Sequence, residues 1–261
     1  MSWRLRRQLI ALFTLVLIIA GIGFLIAPKF YAEPSCVDTR QNQGEVGIDC
    51  GGPCAPCELK NPKAITVFWT KAVPVRPNTY DVASEIENPN EVLSSVNVQY
   101  EFTLLDNGVP VARKTGSTYI FAQERIHVIE ANIETAREPS SVAFRVLNAQ
   151  WQVRAEDRPN LVVGRKTYHI VDGAGGEQGV IEASIMNRTS FGFKNVEVRV
   201  IALDADGNLL GANRIVIDNF ASGEERTVKA FWPQKFSGEV ATIEVEPRVN
   251  LFDPNVIIKP R

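Results

Sequence analysis

The chain reads as all-β: two tandem Ig-like antiparallel β-sandwiches behind a single N-terminal transmembrane helix and a small disulfide-rich segment. Three observations predict this. An uncharged apolar run opens the sequence, and all four cysteines then fall within 22 residues. From Ala64 onward, short alternating strands and turn signals occur in one layout, twice, about a hundred residues apart.

The apolar run is LIALFTLVLIIAGIGFLIA, Leu9 to Ala27, 19 residues with Thr14 its one polar side chain. As a helix it measures about 28 Å, close to the thickness of a bilayer's hydrocarbon. Arg4, Arg6 and Arg7 precede it and only Lys29 follows closely. The positive-inside rule therefore keeps residues 1–8 in the cytoplasm and sends the chain after Pro28 outside. Trp3 on one flank, and Phe30 with Tyr31 on the other, suit the two headgroup interfaces. The alternative is a cleaved signal peptide. Against it, the run exceeds the usual h-region of about 7–15 residues. The best cleavage site, after Ala32, also has bulky Phe30 at its −3 position. Either reading exports the rest of the chain. The anchored one makes residues 9–27 a contact with the lipid bilayer and the protein a single-pass component of the cell membrane.

Net charge is −2 and the isoelectric point about 5.9. A nucleic-acid binder would show a basic face, so that class is excluded.

The cysteines, Cys36, Cys50, Cys54 and Cys57, have the spacing C-x13-C-x3-C-x2-C. In an exported segment two disulfides are the default, and four cysteines admit three pairings. Between Gln41 and Gly52 the only apolar side chains of any size are Val46 and Ile48. A core cannot hold such a segment, but crosslinks can. A four-cysteine zinc site usually joins two C-x2-C hairpins, and here the first cysteine stands alone. A Cys54/Cys57 redox pair lacks the strand–turn–helix setting of such enzymes. Asp38, Glu45 and Asp49 lie in the same stretch as calcium candidates. They lack the ligand order of an EF-hand, and solvation of a small loop accounts for them. The residues Cys36, Asp38, Gln41, Asn42, Glu45, Asp49, Cys50, Gly51, Gly52, Cys54 and Cys57 resemble a short motif recurrent in exported bacterial surface proteins. Thr39 departs from it where the commoner form has glycine. The resemblance implies a surface protein and no particular activity.

In SVNVQYEFTL, Ser95–Leu104, the side chains Val96, Val98, Tyr100, Phe102 and Leu104 share one face of a strand. Asp106-Asn107-Gly108 ends it with a turn. NVEVRVIALDADGN, Asn195–Asn208, repeats the layout with Val196, Val198, Val200 and Ala202, and Asp206-Gly207 supplies the turn. Asn88 aligns with Asn187, and FAQER with FASGEER. Domains over residues 64–153 and 161–253 follow, with a linker over 154–160 and a tail over 254–261. Each half has room for six or seven strands, as in an Ig-like sandwich. Trp69, Tyr100, Phe102, Phe121 and Phe144 are core candidates in the first, and Phe193, Phe220 and Trp232 in the second. The charged, proline-containing linker RAEDRPN is expected to hold the domains end to end rather than folded on each other. Phe102-Thr103-Leu104-Leu105-Asp106 is similar to the signature of FxLyD-type domains, which are exported bacterial β-sandwiches related to Ig-like and LEA-type folds. The second half keeps only Leu203-Asp204 of it. The resemblance implies fold, not activity.

No catalytic constellation emerges. His127 in ERIHVIE and His169 in KTYHIVD lie on strand-like runs in different halves and read as surface or rim residues. The glycines of GAGGEQG, Gly173–Gly179, precede a strand rather than a helix, which reads as a flexible loop and not a phosphate cradle. Asp204-Ala205-Asp206-Gly207-Asn208 begins like a calcium loop, but Ile215 stands where the closing glutamate belongs. Asn187-Arg188-Thr189 is a formal glycosylation sequon. The reading is therefore of no enzyme, no cofactor and no metal site. It points to an extracytoplasmic binding or scaffolding protein whose partner is an unidentified protein or surface glycan. The alternative is an accessory subunit of an envelope machine for secretion or pilus assembly.

Overall fold

The computed structural model describes residues 3–30, 35–154, 158–173 and 175–258. Tyr31, the cleavage position after Ala32 and linker residues 155–157 lie outside them. The chain divides into two compact units, Met1–Lys60 and Asn61–Arg261.

In the first unit a helix, α1, runs Trp3–Phe30. It starts earlier than the apolar run, so the basic residues are its first turns and not a separate tail. The Arg7 guanidinium lies 3.9 Å over the Trp3 ring, one turn away. Arg6–Leu25 is long and apolar enough to cross a membrane, with mean hydropathy 2.5. The Thr14 hydroxyl donates to Ala11 O at 2.9 Å, so the one polar side chain of the apolar run is satisfied within the helix.

The second unit is antiparallel β throughout. Its first half contains β1 (Thr66–Arg76), β2 (Thr79–Glu87), β3 (Leu93–Asp106), β4 (Val109–Ile120), β5 (Arg125–Glu134) and β6 (Ser141–Val153). Its second half contains β7 (Leu161–Gly173), β8 (Gly176–Asn187), β9 (Gly192–Leu203), β10 (Leu209–Phe220), β11 (Glu225–Trp232) and β12 (Thr242–Arg248). A short β13 (Ile257–Ile258) follows. The sheets are β1-β2-β5 with β4-β3-β6, then β7-β8-β11 with β10-β9-β12. The second pair repeats the order of the first, strand for strand.

Each half is a sandwich because alternate residues of both its sheets meet in one core. Val82 and Ile86 of β2 and Ile126 and Val128 of β5 face Val98, Tyr100, Phe102 and Leu104 of β3. In the second half, Ile181 and Ile185 of β8 and Val228 of β11 face Val196, Val198 and Val200 of β9. Phe102 and Leu104 of the Phe102–Asp106 stretch are completely buried. Its Asp106 leads into a two-residue turn with φ of 48° at Asn107 and 81° at Gly108, the left-handed pair that suits a tight hairpin. The alternation of β3 is not unbroken. The register shifts between Ser95 and Val98, and Ser94 and Ser95 are buried while Val96 is only partly so.

A buried asparagine clasps each sandwich at matching places. Asn88 Nδ2 donates to Leu93 O and Phe121 O at 2.6 and 2.8 Å. Asn187 Nδ2 donates to Phe191 O and Ala221 O at 2.8 and 3.0 Å. In each case a glutamate, Glu124 or Glu224, accepts the backbone N–H three residues before it at 2.8 Å. The clasp ties the loop before one strand to the turn before another. It also removes the sequon from use, since Asn187 is fully buried with its amide engaged.

Four expectations change. The two sandwiches are not end to end. Ala83 and Ile129, on the outer face of β1-β2-β5, pack with Ile201, Leu209 and Ala212 from the outer face of β10-β9-β12. Apolar side chains on both outer faces favour this contact, and a charged linker does not prevent it. Trp69 belongs to that patch rather than to the first core. The described residues of the expected 254–261 tail pack on the second sandwich. Val256 is buried in the second core, and Ile257 pairs with Phe193. GAGGEQG is mostly ladder, with Gly173 opposite Gly176 and Val171 opposite Gln178.

Replacing the second clasp, Asn187→Ala, strands buried carbonyls and is expected to cost about 3 kcal/mol. Denaturant unfolding of the full chain in detergent, read by tryptophan fluorescence, measures it.

Candidate functional site

The four cysteines pair as Cys36–Cys54 and Cys50–Cys57, closing sequence separations of 18 and 7 residues. Glycine is required inside the knot. A Cβ on Gly47 would lie 2.9 Å from the Cys50 sulfur, and one on Gly52 2.3 Å from Gly44 O. The calcium candidates serve the loop instead. Asp49 accepts Thr39 N–H at 3.0 Å, Glu45 accepts Asp49 N–H at 3.0 Å, and Asp38 accepts Arg40 N–H at 2.9 Å. The Asn42 amide is the main cause holding the Asp38 carboxyl below its ordinary value. In the chain-entropy account the two bridges contribute about 3 and about 2 kcal/mol, the longer loop more. Cys36→Ser with Cys54→Ser should therefore loosen residues 35–60 more than the Cys50/Cys57 double variant, read by amide hydrogen exchange.

A constellation of titratable groups lies between the sandwiches. His127, on the outer face of β5, is buried. Its Nδ1 is 2.6 Å from Glu246 Oε1, and its backbone N–H donates to Glu246 Oε2 at 3.1 Å. Its Nε2 faces Glu244 Oε2 at 3.6 Å. Glu244 and Glu246 share a face of β12 because a strand repeats every two residues. Arg199 of β9, also buried, donates from Nη1 to His127 O, from Nη2 to Thr118 Oγ1 at 3.0 Å, and from Nε to Glu197 at 2.6 Å. Arg248 of β12 donates to Glu124 Oε2 at 2.9 Å and Tyr119 O at 3.0 Å, with its guanidinium 4.2 Å over the Tyr119 ring. At one margin Lys71 of β1 donates to Gly207 O in the turn after β9. At the other, Phe252 stacks on Phe121 at 5.1 Å, and Arg154 donates to Leu251 O.

Burial and pairing oppose each other throughout. Burial disfavours protonation of His127, but the hydrogen bond and charge of Glu246, helped by Glu244 and Glu85, raise its pKa above the ordinary 6.5. Burial also works against ionised Glu246, but His127 outweighs it and holds that carboxyl low. Burial and the charge of Arg248 lower the pKa of Arg199.

His127, Glu244 and Glu246 offer ligand atoms within 4.8 Å of one another, the spacing of a metal cluster. The hydrogen bonds favour a different arrangement. The carboxylates take opposite nitrogens of one ring, and Glu246 also accepts the histidine's backbone N–H. The Nδ1–Glu246 contact is already a hydrogen bond, which engages that nitrogen and that carboxylate with each other. The arrangement suits an imidazolium between two carboxylates.

Sequence reading placed His127 at a surface or rim and so missed this cluster. The signal was alternation of Glu244, Glu246 and Arg248 on one strand, a pattern ordinarily read as a solvated face. His169 is half-exposed, 3.7 Å from Glu182. The Asp204 carboxylate is taken up by its own turn, accepting Asn208 N–H at 2.7 Å. A groove of about 530 Å³ opens between the β1–β2 turn and the chain after β11, lined by Pro74, Arg76, Tyr80, Trp232 and Phe236 among others.

Among the described residues these features define an all-β protein with one apolar helix long enough to cross a membrane, a disulfide-stapled segment and two β-sandwiches of one topology. No family model matches the chain, and no curated protein matches it.

Arg248→Met would leave Glu124 buried without its cation and is expected to cost about 3 kcal/mol or more. Adding Glu124→Gln should recover part of that loss, and denaturant unfolding of the single and double variants checks it.

Proposed function

We propose that the protein is a membrane-anchored, extracytoplasmic binding or scaffolding protein without catalytic activity. The observation that carries this reading is the order of elements: a membrane-length apolar helix with arginines at its start, then a disulfide-bonded segment, then β-sandwiches. Disulfides belong to oxidising compartments, and the arginines belong on the cytoplasmic side. Residues 9–27 contact the lipid bilayer, and everything beyond them stands outside the cell.

A binding role is favoured because buried His127, Arg199, Arg248 and Glu124 are engaged with partners across the sandwich interface. The groove beside the β1–β2 turn offers a concave surface at a junction between domains, where ligand sites are commonly found. Its aromatic and proline lining, with Arg76 and Lys235 at hand, suits an extended peptide or a surface glycan.

The test is the intact mass of the protein from native membranes, with free thiols blocked before reduction. A full-length chain carrying no block is expected. A mass beginning near Glu33 would replace the anchored protein with a secreted one, and four blocked thiols would overturn the exported topology. Stoichiometric recovery with an integral membrane complex in detergent would favour the accessory-subunit reading instead.

A further inference from the structure

We propose that His127 is a proton-operated latch between the two sandwiches. With its imidazole protonated it ties β5 of the first to β12 of the second, and loss of the proton loosens that contact. The inference does not depend on what the protein binds.

The hydrogen bond to Glu246 takes a proton on Nδ1, and the longer contact with Glu244 is an ion pair only when the ring is charged, with a proton on Nε2 as well. Nδ1 meets Glu246 at 2.6 Å, and Nε2 faces Glu244 at 3.6 Å. Carboxylates only accept, and a neutral imidazole donates from one nitrogen alone. On deprotonation one nitrogen turns a lone pair toward a carboxylate, so an attraction becomes a repulsion across the interface.

The surrounding charges leave room for that proton. From β2, Glu85 acts on the ring, and it is shared with Arg125 of β5 at 3.6 Å. From β12 come Glu244 and Glu246. From β9 comes Arg199, whose charge is matched by Glu197 at 2.6 Å, with Arg214 of β10 behind at 3.9 Å. Arg248 is matched by Glu124. From β1, the Trp69 ring lies 5.2 Å away with the Lys71 amine over it at 5.1 Å. Glu244 and Glu246 both face His127, and the charge of Arg199 also acts on Glu246.

Apolar contact between the sandwiches includes Ala83, Ile129, Ile201, Leu209 and Ala212, with Trp69, Val73 and Leu203 partly buried around them. At one margin Phe252 packs on Phe121 and Tyr119. The charges at His127 act on β5 and β12 in addition to these apolar contacts. The raised His127 pKa means that its stabilising contribution is complete below about 6.5, the ordinary value, and is lost as pH rises through the folded-state value above it. The lowered Glu246 pKa gives the other limit, since its contribution is present above about 4.5 and lost as pH falls through its folded-state value. The latch is thus closed in mildly acid conditions and released on the alkaline side.

The experiment uses the full chain in detergent micelles. The chain has two histidines, so ring-labelled histidine gives two sets of signals, and His127→Gln assigns them. Amide hydrogen exchange of β5 and β12, corrected for its intrinsic pH dependence, is followed through the same range. The expected result is a His127 midpoint above 6.5, with protection of β5 and β12 falling several-fold across it while β3 and β8 stay constant. In His127→Gln the transition should vanish. Glu244→Gln, at a half-exposed position that leaves the packing intact, should move midpoint and transition together to lower pH. Equal protection on both sides of the midpoint, or an unchanged transition in His127→Gln or Glu244→Gln, overturns the latch. So does a transition lost on chelation and restored by Zn²⁺ alone, which would make the cluster a metal site.

Discussion

The second unit depends on one constraint: the outer faces of two sheets, β1-β2-β5 and β10-β9-β12, are buried against each other. An antiparallel sheet with one wet face alternates polar and apolar residues. Here β9 has Val196, Val198 and Val200 inward, yet outward-facing Arg199 and Ile201 are buried too. β5 likewise buries Ile126 and Val128 on one side and His127 and Ile129 on the other. Once those faces meet, every charge between them needs a partner. Arg199 finds Glu197 and a carbonyl, Arg248 finds Glu124, and His127 finds Glu246. Such pairs add little net stability, because desolvation offsets their attraction. Their effect is on specificity, since sliding one sheet past the other would leave several buried charges unpaired at once.

The two sandwiches share a plan but not a surface. Strand order, core faces, the asparagine clasp and the glutamate cap behind it occur in both, which is what a duplicated unit preserves when its cores must fold in the same way. The faces that meet are different and complementary. The first contributes alanine, isoleucine and a histidine from β2 and β5. The second contributes isoleucine, arginines and glutamates from β9 and β12. The contact is therefore between unlike surfaces.

The disulfide segment reaches order by other means. Between Gln41 and Gly52 there is too little apolar area for a core, so covalent closure and N–H donors aimed at Asp38, Glu45 and Asp49 replace it. Backbone with positive φ at Thr39, Gln43 and Asp49 bends the chain around those carboxylates. The same residues that read as candidate calcium ligands act as acceptors for the loop's own amides. That use of a carboxylate is common wherever short chains turn sharply.

Much of this was legible in the sequence because it is written in local periodicity. An uncharged stretch of membrane length gives the helix, and cysteine spacing in a polar segment gives the crosslinks. Period-two alternation gives the core strands, with Val98, Phe102, Val196 and Val198 facing inward. Repetition of Asn88 and Asn187 in register gives the two-sandwich plan. Which cysteines pair was decided only by the folded loop, as three pairings satisfy the spacing equally. The sandwich contact was also beyond local pattern. Alternation says which side of a strand faces its own core but not whether the other side meets another sheet. Glu244, Glu246 and Arg248 are the residue types normally left in water. Tertiary structure alone brings His127 to them, across more than a hundred residues of chain, because only there does burying both outer faces make each charge the other's partner.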